Sequence, residues 1–223
     1  MILSFARILN EHEHAAVLEQ LRAGRFVDGR QTAGADIAAI KQNEQLAPQS
    51  PQASRIAEIV LAALRRHEAF RSATQPQQLH SLLISRYRTG MAYGQHVDNA
   101  LMGEPKAWRS DLSITLFLNE PDSYDGGELA LESGSGEVLV KLPARDMVCY
   151  PTGQLHRVRE VTRGERLVVV AWIQSHVRDP RAREALWDLR QVMDDIIARE
   201  GKSRAYDLIS KTYTNLLRRW AEP

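Results

Sequence analysis

The stretch DLSITLFLNE, residues 111–120, places Leu112, Ile114, Leu116 and Leu118 on one side and Ser113, Thr115 and Phe117 on the other. Successive side chains of a strand point to opposite faces, so a period of two reads as half-buried β structure. The same period begins upstream at Leu79, where Leu82 and Ile84 alternate with Leu83, Ser85 and Tyr87. Downstream, ELALES (128–133), EVLVKL (137–142), DMVCY (146–150) and RLVVVAW (166–172) are further short strands. Turn material separates them at Asp125-Gly126-Gly127, Ser133-Gly134-Ser135-Gly136 and Pro151-Thr152-Gly153. Many short strands without intervening helices predict a double-sheet jelly roll, the double-stranded β-helix, rather than an α/β sheet.

The period is helical on either side of this core. Ile8, Ala15, Leu18 and Leu21 fall on one side of a helix that Asn10 can cap, and a second helix is expected from about Ser54 to Phe70, after Pro48 and Pro51. Pro76 closes this part. After Pro180 the stripe Leu186, Leu189, Met193 and Ile196 marks another helix, and Tyr206 to Trp220 one more. The chain is therefore read as mainly β with N-terminal and C-terminal α-helical segments: a helical support region over 1–77, the jelly roll over 78–176 and a helical extension over 177–223. Leu186, Trp187, Tyr213 and Leu217 fit three uses equally: a cover for the sandwich, a wall of a substrate cleft, or a contact between copies in a homo-oligomer.

A chain of 223 residues can bury a proper core without staples. Its 29 lysines and arginines against 28 aspartates and glutamates leave a net charge of +1, which gives no general footprint for nucleic acid or an anionic membrane. Cys149, the single cysteine, excludes an internal disulfide and a cysteine-rich zinc site and suits a reducing compartment. The opening MILSFARILNEHEH lacks the basic flank and apolar core of a signal peptide, and no apolar run reaches membrane-spanning length. A cytoplasmic location is expected.

His96-Val97-Asp98, the later His156 and Arg166 carry the chemistry. Residues two apart in a strand face the same way, so His96 and Asp98 form a two-point clamp, and His156, after the Pro151-Thr152-Gly153 turn, is placed to complete it. Two imidazoles and a carboxylate on one side of a metal leave the other positions open, as in non-haem Fe(II) oxygenases. His156 is expected to start a hairpin leading to Arg166, which shares a strand face with Val168, Val170 and Trp172. The planar fork of arginine suits bidentate capture of a carboxylate; the plainer reading pairs it with Glu128. Arg159 and Arg163 are rivals by proximity, but Arg163-Gly164-Glu165 reads as the exposed turn of the hairpin. His12 and His14 read as a solvated helix face, His67 and His80 as surface or strand-end residues, and His176 either faces the site or caps the sheet.

Phe26-Val27-Asp28-Gly29, Thr32-Ala33-Gly34 and Lys41-Gln42-Asn43-Glu44-Gln45-Leu46 near the start, SRYRTGMAYGQHVDNALMG (85–103), DLSITLFLNEPDSYDGGELAL (111–131), YPTGQLHRVREVTRGERLVVVAWIQS (150–175) and the terminal NLLRRW resemble the PKHD-type hydroxylases over nearly the whole length. These are a bacterial branch of the prolyl-4-hydroxylase-like Fe(II)/2-oxoglutarate dioxygenases. The resemblance implies iron on His96, Asp98 and His156, the distal carboxylate of 2-oxoglutarate on Arg166, and no catalytic side chain beyond the metal centre. It also suggests Tyr87 as a hydrogen-bond donor to the cosubstrate, with a purely structural buried phenol the equal alternative; Tyr93 would line the entrance. The implied reaction consumes O2, decarboxylates 2-oxoglutarate to succinate and carbon dioxide, and hydroxylates a peptide or small molecule. L-ascorbic acid (vitamin C) binding and a link to iron homeostasis come with the resemblance. A non-catalytic sensor of iron or 2-oxoglutarate on the same fold, and a zinc hydrolase using the same ligands, are the competing readings.

Overall fold

The polar cap at Asn10 and the apolar spacing behind it produce the first helix of a layer that covers the central sheet. In the computed structural model, which describes residues 1–32, 35–103, 105 and 107–222, β1 (Leu3–Phe5) precedes α1 (Glu11–Ala23), β2 (Phe26–Asp28), a 3-10 turn (Gly29–Thr32), α2 (Ala35–Ala38), β3 (Glu44–Leu46), α3 (Pro51–Arg66) and α4 (Glu68–Thr74). Ala33 and Gly34 of the Thr32-Ala33-Gly34 motif lie outside the described residues. Asn10 accepts from the Glu13 amide while the Glu13 side chain accepts from the Asn10 amide, a reciprocal cap that fixes the rotation of α1. Val17 and Leu21 are thereby buried and Ala15 is left in solvent, against the expected stripe. α3 starts before Ser54 because Ser50 caps it and Pro51 occupies its first turn. His67 ends α3 and caps α4, its Nδ1 accepting from the Phe70 amide at 3.2 Å.

The strands that follow are β4 (Pro76–Arg88), β5 (Tyr93–His96), β6 (Leu101–Met102), β7 (Trp108–Arg109), β8 (Leu112–Phe117), β9 (Asp125–Gly126), β10 (Leu129–Ser133), β11 (Gly136–Val140), β12 (Met147–Pro151), β13 (His156–Val158), β14 (Val161–Arg163) and β15 (Glu165–Ser175); α5 (Pro180–Glu200) and α6 (Arg204–Trp220) end the chain. They form a seven-stranded sheet in the order β1-β12-β8-β15-β4-β3-β2 and a four-stranded sheet in the order β11-β10-β13-β5, antiparallel in the pairs of both. This is the expected mainly β sandwich with flanking helices.

All six residues of β8 are buried, so the half-buried expectation fails for this strand. Leu112, Ile114 and Leu116 pack in the cluster that includes Ile56, Val60 and Leu64 of α3, while Phe117 joins Leu129, Leu131, Tyr150 and Val168 between the sheets. The helix layer therefore covers the apolar face, and the face that the alternation would give to solvent, with Ser113 and Thr115, is buried between the two sheets. Residues 1–77 are also more than helical support, because β1, β2 and β3 are strands of the large sheet.

β13 pairs with β10 and β5 in the small sheet, whereas β15 pairs with β4 and β8 in the large one. His156 and Arg166 thus stand on opposite sheets, not on two arms of a hairpin. β14 makes the crossing and pairs with β9, which makes Asp125-Gly126 a short strand as well as a turn. α5 and α6 build their own apolar cluster of Val177, Ala182 and Leu186 with Tyr213, Leu217 and Trp220. Among the described residues, no helix is long and apolar enough to cross a membrane.

The α3 contact with the large sheet is a measurable share of stability. Ile56, fully buried there, leaves a cavity on truncation, and Ile56→Ala is expected to cost about 2–5 kcal/mol in urea unfolding; a loss under ~1 kcal/mol would mean that the layer is not firmly packed.

Candidate metal centre and its cavity

The register of β13 on β5 sets His156 opposite His96. Their rings lie 4.2 Å apart between centroids, and both residues are nearly inaccessible. Asp98 follows two residues after His96, just beyond β5, and Val97 between them turns outward with 43% of its surface exposed. The alternation of the strand thus carries past its last paired residue. His96 Nε2 lies 3.7 Å from Asp98 Oδ1, and His156 Nε2 lies 3.8 Å from Asp98 Oδ2. One donor atom from each of the three side chains falls within 4.8 Å of the others.

Backbone contacts fix which imidazole nitrogen faces the site. His96 Nδ1 is 2.8 Å from the Gly94 carbonyl and His156 Nδ1 is 2.9 Å from the Gln154 carbonyl. A carbonyl can only accept, so each Nδ1 carries the proton and each Nε2 presents its lone pair. Asp98 Oδ2 accepts from Trp172 Nε1 at 2.8 Å and from Ser113 Oγ at 2.9 Å. The Ser113 hydroxyl is 3.1 Å from Thr152 Oγ1, which extends this support to the turn before His156. Burial and the neighbouring His156 push the His96 pKa down to about 4, so the ring is neutral and ready to ligate at neutral pH. Two imidazole nitrogens and one carboxylate, facing a cavity, fit a divalent first-row metal with open positions, ferrous iron among them.

The cavity has a volume of about 520 Å³, and the three ligand side chains share its lining with Arg166, Tyr87 and Tyr93. Arg166 is 1% exposed. Among the described residues no carboxylate pairs with it, and its Nε has no hydrogen-bond partner. Its guanidinium carbon lies 5.1 Å from the Tyr87 ring centroid and 5.6 Å from that of Phe117. A guanidinium buried among rings without a counter-ion is costly, and an anionic oxygen group entering from the cavity is what would offset that cost. Gly127 makes the position reachable: at φ 67, a Cβ there would come within 3.1 Å of Arg166 Cδ. The Tyr87 phenol is held protonated by burial, which raises its pKa, with Arg166 opposing.

The rivals stay outside. Glu128 lies 3.9 Å from Arg159, so it is not the partner of Arg166, and Arg163 pairs with Asp125 on the surface at 2.7 Å. Tyr93 stacks on His96 with centroids 3.8 Å apart. His176 is at the sheet end, its amide bonded to Gln75 and its carbonyl to the Glu222 amide, away from the cavity lining. His12 is exposed, but His14 docks through Nε2 on the Leu118 carbonyl at 2.7 Å, and His80 stacks on Trp108 at 3.4 Å. No residue of α5 or α6 lines the cavity. The roles of Trp172 and Ser113 escape the sequence reading. Only Trp172 carries a signal, since an indole N–H on the inner face of a strand needs an acceptor.

A family model described as the 2OG-Fe(II) oxygenase superfamily matches residues 82–174, the span from β4 to β15. The chain is 49% identical over 222 residues to a PKHD-type hydroxylase of Rippkaea orientalis, and the alignment covers 100% of both. Its fold is similar to that of a prolyl hydroxylase from Trichoplax adhaerens, solved in complex with a hypoxia inducible factor oxygen degradation domain peptide fragment, with TM-score 0.56 and 14% identity over 83% of this chain and 86% of that one. It is also similar to HygX of Streptomyces hygroscopicus, solved with nickel, 2-oxoglutarate and hygromycin B, with TM-score 0.53 and 15% identity over 78% and 82% of the two chains.

Trp172→Phe keeps the ring and removes the donor to Asp98, so divalent-cation affinity is expected to fall about 10–100-fold in chelator competition with the fold retained. Unchanged affinity would take Trp172 out of the metal centre. Because the folded His96 value lies below the ordinary 6.5, the unfolded chain takes up the proton first, and the metal-free fold is expected to lose stability as pH falls from about 6.5 to about 4. His96→Gln should flatten that part of the urea-midpoint profile; an unaltered slope would mean that His96 does not contribute.

Proposed function

We propose, from the premise that this chain belongs to the PKHD-type hydroxylases and is an Fe(II)- and 2-oxoglutarate-dependent oxygenase, that it hydroxylates a peptide or small molecule entering this cavity while 2-oxoglutarate is converted to succinate and carbon dioxide. The observation that carries the reading is the joint opening of the His96, Asp98 and His156 cluster and the unpaired Arg166 onto one space.

In this reading His96 Nε2, Asp98 and His156 Nε2 hold the iron, and Arg166 takes the distal carboxylate of the keto acid through its planar fork. Tyr87, kept protonated by burial, donates a hydrogen bond to the same cosubstrate. When bound, iron and 2-oxoglutarate together supply oxygen activation coupled to decarboxylation, the chemistry no side chain of this chain can perform. The chain binds, orients and shields. Trp172 and Ser113 hold the Asp98 carboxylate in one orientation, and the Gly94 and Gln154 carbonyls hold the two imidazoles. Val158 and Val170 of the cavity wall keep water from the reacting centre. Of the two proteins of similar fold, one was solved with a peptide fragment and the other with hygromycin B, which supports reading the substrate as a peptide or a small molecule.

Anaerobically iron-loaded protein, given 2-oxoglutarate and ascorbate and then oxygen, is expected to form succinate. Asp98→Ala should abolish this without unfolding the protein, and full activity in that variant would reject the site. Arg166→Lys, which replaces a fork by a point charge, is expected to raise the KM for 2-oxoglutarate about tenfold or more while changing kcat less. An unchanged KM would move the cosubstrate elsewhere.

A further inference from the structure

The cavity contains a second cationic group that neither the metal centre nor the cosubstrate site uses. Lys41, between α2 and β3, is 5% exposed and lines the cavity. Its Nζ donates to Thr32 Oγ1 at 2.9 Å, and that hydroxyl in turn reaches Gln45 Oε1 at 2.8 Å. No carboxylate among the described residues comes within ion-pair distance of the amine. Asn43, also 5% exposed, stands instead beside the Tyr87 phenol and against Gly29. A buried ammonium with donors to spare is costly in a folded chain, and it finds its use in a ligand.

The position separates Lys41 from the cosubstrate site. Lys41 Nζ lies 5.3 Å from the centroid of Tyr93, whose ring is stacked on His96, whereas Arg166 sits by Tyr87 and Phe117. The segment is tied to the strand of the metal ligand: the Gln42 amide donates to the Ala92 carbonyl and the Gly94 amide to the Ile40 carbonyl, each at 2.9 Å. Lys41 is therefore held on the His96 side of the cavity. Burial brings its pKa down to about 8, which still leaves the ammonium in the majority at neutral pH. The cavity lining beside it includes Ile37, Leu101 and Met102, and Leu101 is 64% exposed.

We propose that Lys41 is the specificity-determining subsite for the prime substrate, and that it takes a carboxylate joined to an apolar body lying along Ile37, Leu101 and Met102. The assignment rests on the oxygenase reading of the cavity. One ammonium matches the single charge of a carboxylate; a phosphate would call for more cationic partners.

The test uses hexanoate as the probe, with hexanamide and hexyl phosphate as controls, in calorimetric titrations of the full chain loaded with iron and saturating 2-oxoglutarate, so that Arg166 is already occupied. Hexanoate is expected to bind and hexanamide to bind much more weakly. Lys41→Met should weaken hexanoate about tenfold or more in a protein of native melting temperature, and Lys41→Arg should restore most of that loss. Equal hexanoate affinity in Lys41→Met and the parent overturns the subsite, as does a preference for hexyl phosphate. 2-Oxoglutarate binding is measured in the same samples: its absence would count against the oxygenase reading, while the Lys41 comparison would still decide the subsite.

Discussion

The antiparallel pairing that sets His156 opposite His96 is the constraint on which the site depends. It joins two segments sixty residues apart on one small sheet, and no local signal in either could achieve this. Once the pairing is made, the alternation of β5 delivers Asp98 to the same side, and two backbone carbonyls set both imidazoles with Nε2 inward. The ligand set is thus built from main-chain geometry, the part of a fold least free to drift, and this keeps its atoms close before any metal arrives.

The polar groups around the cavity fall into two kinds. Asp98 is fully supported from the opposite sheet by Trp172 and Ser113, which makes it a group held ready. Arg166 and Asn43 have polar atoms without partners although they are buried. In a folded chain such groups are rare and destabilising; among the described residues Arg166 and Asn43 carry them at the cavity wall and Tyr124 and Arg157 away from it. In the proposed reading the satisfied groups form the frame, and Arg166 marks where a ligand completes it. The large sheet supplies the frame and the Arg166 end; the small sheet supplies the metal face.

Much of this was legible in the sequence because it follows strict periods. The alternation at 111–120 marks β8, the His-x-Asp spacing marks a shared face, and the apolar company of Arg166 marks it as inward. The sequence is silent on which strands pair. The His156 to Arg166 segment looks like a hairpin because its two strands are adjacent in the chain, yet β14 carries it across the sandwich to the other sheet. β1, β2 and β3 are three residues each, too short to establish a period of two. Ala15 and Val17 exchange places because the capping box, not the apolar count, sets the rotation of α1. Lys41 carries no periodic signal at all; its burial comes from the strand it is tied to.

That tie also explains how the N-terminal segment belongs to the site. Helices α1 and α3 press on the outer face of the large sheet and stabilise it through Val17, Ile56 and Val60. The stretch between them instead crosses to the inner side, where Ile40 and Gln42 bond to the backbone of residues 92–94, just before His96. A shift of this stretch would therefore move Lys41 and the metal strand together. The stabilising contacts lie on the outer side of the sheet, while on the inner side the Lys41 segment and the strand that carries His96 form one hydrogen-bonded backbone unit.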